Sequence, residues 1–118
     1  MLAKAQRLRK PSEFQRVREQ GRCWSATLLV VCKHPNGLPI SRFGFSVSRR
    51  IGKAVARNRV KRQMREAVRM QQDLVAPGWD VVWIARQPIG LAAYADIEQT
   101  VARLLGVAGL LAAGERME

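Results

Sequence analysis

Apolar positions in this chain come in short blocks set between turn residues, and the spacing inside each block predicts an element. In Ser12-Glu13-Phe14-Gln15, Ser12 is placed to cap a helix and Gln15 sits at the reciprocal capping-box position. Phe14 and Val17, three apart, share a face, and Gly21 supplies a stop, so a helix is expected over about 12–20. Ala26 to Lys33 (ATLLVVCK) is β-branched and apolar on both faces in its middle, the pattern of a central strand. After the turn cluster His34-Pro35-Asn36-Gly37, the run Arg42 to Ser48 alternates. Phe43, Phe45 and Val47 fall on one side and Gly44, Ser46 and Ser48 on the other. A strand face lined by small residues leaves room for something to lie on it.

A helix is expected over about 53–73, its buried stripe centred on Val60 with Ala56, Met64 and Ala67. Pro77-Gly78 ends that stretch. Trp79 to Ala85 (WDVVWIA) reads as a strand, and Ile97, Val101, Leu104, Leu105 and Ala108 give a last helix over about 94–108. The expected order is α, β, β, an extra short strand near 38–41, α, β, α, an α+β fold. Residues 1–118 read as a single domain with a basic arm over 1–11 and a tail over 109–118 expected to fray.

Charge changes this picture most. The 118 residues carry 21 Lys and Arg against 9 Asp and Glu, a net charge of +12. Residues 1–69 hold +15 of it, and residues 70–118 hold −3. Self-repulsion of that size calls for a polyanionic partner, engaged by the first half. Segment 49–69 concentrates the charge in Arg49, Arg50, Lys53, Arg57, Arg59, Lys61, Arg62, Arg65 and Arg69, with Glu66 the single acid. Solvated helix faces normally alternate signs for i,i+4 pairing, and this one does not. Guanidinium forks match phosphate oxygens in pairs, so the segment suits RNA. The start of the helix near Gly52-Lys53 also offers free N–H groups to an anion.

Other chemistry is sparse. Phe14 beside Arg16 and Arg18 fits either a platform for an unpaired base or an ordinary core anchor. His34, the only histidine, has no nucleophile or carboxylate arranged to use it. Gly52-Lys53 lacks the glycine and hydroxyl residue of a phosphate-binding P-loop. Cys32 and His34 lack the further pair of a zinc site, and Cys23 and Cys32 read as two reduced thiols of a cytoplasmic protein. The basic start is not followed by an apolar signal core, and the apolar run Val101 to Ala113 is too short to span a bilayer.

The string RFGFSVSRRIGKAVARNRVKR at 42–62, with Arg57-Asn58-Arg59 at its centre, resembles the signature of the bacterial ribonuclease P protein family. The likeness extends to Arg7-Leu8-Arg9, Glu13-Phe14, Val17 and Gly21 upstream and to Ile84-Ala85-Arg86 and Pro88 downstream. It implies a two-layer α/β sandwich of order αβββαβα, with a mixed sheet and a left-handed βαβ crossover. It also implies a division of labour. An RNA subunit, holding most of the Mg²⁺, catalyses release of the 5′ leader of precursor tRNA. The protein binds that RNA and the leader, with no obligate protein partner and no membrane. By the resemblance, Arg57, Asn58, Arg59, Lys61, Arg62 and Arg65 face the RNA, with Arg49, Arg50, Lys53 and Arg69 flanking them. Phe14, Ser46 and Ser48 line a leader cleft. Arg18 and Cys32 are assigned to it where the family often carries aromatics, so charge is expected to hold more of the leader here.

Rival classes are a free-standing RNA-binding module, a basic ribosomal protein, an enzyme acting alone and a membrane-active cationic helix. Arg42 to Val47 lacks the glycine and closing aromatic of an RNP1 strand. A membrane role is disfavoured because the basic helix is one part of a mixed domain.

Overall fold

A computed structural model of the protein describes residues 4–112. Its elements are α1 (Pro11–Gln20), β1 (Arg22–Ser25), β2 (Leu29–Pro35), β3 (Arg42–Ser46), α2 (Ala54–Arg69), β4 (Trp79–Ala85) and α3 (Tyr94–Val107). The strands form one mixed sheet of order β1-β2-β4-β3. β2 pairs antiparallel with both β1 and β4, while β3 runs parallel to β4 and reaches it through α2.

Alternation along the strands makes two different faces. Leu29, Val31, Phe43, Val81, Trp83 and Ala85 point to one side, where they meet the buried stripes of α2 (Val60, Met64, Ala67) and α3 (Ile97, Val101, Leu104, Leu105). Full burial of each of the Val, Leu, Ile, Met and Phe side chains here contributes about 1.5–3 kcal/mol, so this side holds most of the stability. On the other side a small cluster of Val82, Cys32, Leu8 and Val17 seats α1 on the sheet.

Several expectations are corrected. The third strand of the order is β1, paired to β2, and not a strand near 38–41. RCWS is short and mixed, so only its pairing marks it as a strand. β2 begins at Leu29 rather than Ala26 and runs through Pro35. Ser12 and Gln15 do not form the capping box. The N-cap is Lys10, because Pro11 at the first helical position needs no N–H partner, and Glu13 reaches back to the N–H groups of Lys10 and Arg9 at 3.1 and 3.2 Å.

The basic arm is tied down. Leu8 is buried and donates its N–H to the Phe43 carbonyl at 2.9 Å, and Arg7 bridges to Phe43, covering the open edge of β3. The start of the tail is fixed too. Leu110 is buried, its carbonyl accepts from Ala76, and Leu111 bridges to Val75. The remainder of the predicted tail, 113–118, lies outside the described residues. Cys23 and Cys32 are not separate thiols. They face each other across β1 and β2 at a Cα separation of 4.0 Å and are joined in a disulfide.

Candidate nucleic-acid interface

The small-residue face of β3 is occupied by Phe14. Its ring lies so close to Gly44 that a Cβ there would stand 2.5 Å from Cζ and 2.7 Å from Cε2. Gly44 is therefore the residue that lets the ring settle on the sheet. One helical turn on, Arg18 donates from Nη2 to Ser46 Oγ at 2.8 Å. Phe14 is only half-buried, so part of it stays accessible. Shallow grooves flank it. One, about 440 Å³, is lined by Pro11, Phe14, Gln15, Arg18, Glu19 and Ser46. The other, about 230 Å³, runs beneath Arg7 and Arg9 past Phe14 and Gly44 to Lys61 and Arg65 of α2.

A polar clamp sets the position of α1. Arg42, on the cleft face of β3, donates to both carboxylate oxygens of Asp80 on β4, from Nε at 2.8 Å and from Nη2 at 2.7 Å. Its Nη1 reaches Glu13 of α1 at 3.2 Å. Asn36 adds a hydrogen bond to Asp80 at 3.0 Å. Burial works against the Glu13 carboxylate. The Lys10 and Arg9 N–H groups and the Arg42 charge outweigh it and hold the Glu13 pKa below 4.5. The hydrogen bond to Asp80 holds Arg42 more firmly charged.

Helix α2 exposes Lys53, Asn58, Arg59, Arg62 and Arg65 and half-exposes Arg57, Lys61 and Arg69, while Val60, Met64, Ala67 and Val68 turn inward. Arg49 and Arg50, in the turn before it, are also exposed. Some of these cations already have partners. Arg57 donates to the Gly52 carbonyl at 2.8 Å and Arg59 to the Gly90 carbonyl at 3.0 Å. Arg69 forms a two-bond pair with Glu66 at 2.7 and 3.0 Å. The cationic ridge and the aromatic cleft thus adjoin, joined by the groove under Arg7 and Arg9.

This layout, a mixed sheet carrying an aromatic cleft beside an arginine ridge, has counterparts of known family. The profile of the Ribonuclease P family matches residues 2–109. The chain belongs to the ribonuclease P protein family. It is 47% identical over 111 residues to the ribonuclease P protein component of Roseiflexus castenholzii, covering 93% of this chain and 91% of that one. To the ribonuclease P protein component of Herpetosiphon aurantiacus it is 48% identical, covering 92% and 89%. Its fold matches the Staphylococcus aureus RNase P protein with a TM-score of 0.85 at 31% identity, covering 92% of this chain and all of that one. The match to the RNase P protein of Thermotoga maritima has a TM-score of 0.77 at 30% identity, covering 84% and 94%.

Of the residues that the resemblance to ribonuclease P proteins assigned to the leader cleft, the structure brings Phe14, Arg18 and Ser46 together. Ser48 lies beyond β3, where its Oγ accepts from the Arg50 N–H at 3.3 Å and caps the turn. Cys32 is on the sheet face that α1 covers but only 1% exposed, sealed under α1 and bonded to Cys23. Sequence reasoning missed the Arg42–Asp80–Glu13 clamp. Its one available signal was an acid, Asp80, in an otherwise apolar strand.

Proposed function

We propose that this chain is the protein subunit of a ribonucleoprotein ribonuclease P, binding a catalytic RNA along α2 and the 5′ leader of precursor tRNA in the cleft beside α1. The observation that carries this reading is the half-exposed Phe14 ring, fixed on Gly44 beside the Arg18–Ser46 hydrogen bond and joined by one groove to the arginine ridge. A single strand is gripped by stacking and backbone charge without regard to sequence, which suits leaders of varied sequence. Cations between two RNAs screen the repulsion of their phosphates, so catalyst and substrate approach more readily.

In this reading the cleavage is Mg²⁺-dependent and catalysed by the RNA. The protein's own donor set does not fit such an ion. Of the carboxylates beside the cleft, Glu13 is taken by Arg42 and Glu19 accepts from Gln15 at 3.0 Å, while the buried Asp80 is also taken by Arg42. Among the described residues, no cluster of three or more His, Cys, Asp or Glu is placed to hold a metal. We therefore assign Mg²⁺ mainly to the RNA, and to the protein the binding and orientation of the strands. Among the same residues, no helix is long and apolar enough to cross a membrane.

The test is reconstitution with a bacterial ribonuclease P RNA at low Mg²⁺, scoring release of the 5′ leader. The expected result is cleavage that needs the RNA and is stimulated by the protein. Cleavage by the RNA-free protein, or no stimulation, overturns the reading.

A further inference from the structure

The exposed face of α2 is not wholly ionic. Val55, at its start, is 82% exposed, and Leu91, in the short turn after β4, is 98% exposed. Val55 precedes Arg59 by four residues and Arg62 by seven, so it heads the same stripe. Arg59 spans from that stripe to the carbonyl of Gly90, the residue next to Leu91. Gly90 in turn rests against half-buried Ile51. Val55, one helical turn before Arg59, and Leu91, next to Gly90, thus lie beside the two ends of the Arg59–Gly90 hydrogen bond. Arg49, Arg50 and Lys53, just before Val55, and Arg62, two helical turns after it, are exposed. The acid of this helix, Glu66, is a turn further on and paired to Arg69.

We propose that Val55 and Leu91 form a non-ionic seat for an unpaired nucleobase of the catalytic RNA. An apolar spot within a dense positive rim favours a ligand that offers a flat, weakly polar surface between negative charges, and a nucleotide splayed out of a folded RNA offers both. A second copy of this chain would bring its own positive rim against this one and be repelled. The inference rests on the proposed RNA-facing role of α2 and adds a component of affinity that salt does not screen.

Its test is binding of an in vitro transcribed bacterial ribonuclease P RNA across a salt series, with chemical probing of base accessibility. Leu91→Ser with Val55→Ser is expected to weaken binding roughly tenfold at every salt concentration. The log–log salt slope stays that of the wild type, and at least one unpaired base loses its protection. Both side chains are exposed, so thermal unfolding should be unchanged. Unchanged RNA affinity in the double variant overturns the seat and leaves the RNA-facing reading standing. So does wild-type self-association that the double variant abolishes without loss of RNA affinity. Failure of the wild type to bind the RNA at all overturns both.

Discussion

The ring of Phe14 and the backbone of Gly44 meet so closely that a single added carbon has no space between them. Helix α1 is thereby seated at a fixed height above β3. In the proposed role, the same packing presents the exposed part of Phe14 to the leader. Phe14→Ala is expected to cost about 1–3 kcal/mol in binding of leader-bearing precursor to the reconstituted enzyme and to spare mature tRNA. Gly44→Ala is expected to displace the ring and lose the same discrimination, with roughly 1–3 kcal/mol of overpacking on stability. Equal losses for both RNAs would make Phe14 a core anchor only.

Glu13 links the pH response to the position of α1. Its pKa is depressed in the folded protein, so its contribution to stability is fully present above the unfolded value near 4.5. That contribution is lost as pH falls through the lower folded value. Denaturant titrations from neutral pH down to about pH 3 are expected to show stability falling in acid, with a shallower fall in Glu13→Gln. Identical acid slopes for variant and wild type would contradict the clamp.

The cross-strand disulfide encloses a short loop, for which chain-entropy arguments give about 2–3 kcal/mol. Reductant is expected to lower the denaturation midpoint, and Cys23→Ser to remove the response. Two titratable thiols in the untreated protein, with no response to reductant, would contradict the pairing.

Arg42 is the residue on which the clamp converges. Arg42→Met should destabilise the domain by roughly 3–5 kcal/mol, because it leaves the buried Asp80 carboxylate without its charged partner and with only the Asn36 amide. Arg42→Met with Asp80→Asn should recover part of that loss. No recovery in the double variant would show that the two side chains act separately.

The periodic elements were legible in the sequence for a physical reason. β4 and α3 bury long, regular stripes, so apolar spacing alone fixes them, and α2 differs only in its end, where the helix stops at Arg69. β1 was not legible, because four mixed residues gain strand structure only from β2. The disulfide went with it. Cys23 meets Cys32 only once the register of that hairpin is known. The charge of the arm points to a free segment, yet the single apolar Leu8 docks it. In the candidate site, the small-residue face of β3 and the aromatic amid cations were both visible. Arg42 and Asp80, 38 positions apart, meet only through the parallel pairing of β3 with β4.

The central claim is that the exposed arginines of α2 hold RNA by neutralising its phosphates. The most direct measurement is the salt dependence of binding to a bacterial ribonuclease P RNA, for the wild type and for Arg59→Ala with Arg62→Ala. A steep negative log–log slope is predicted for the wild type, made shallower in the variant by about 0.7–0.9 for each phosphate that an arginine no longer neutralises. A variant slope equal to that of the wild type would contradict the claim.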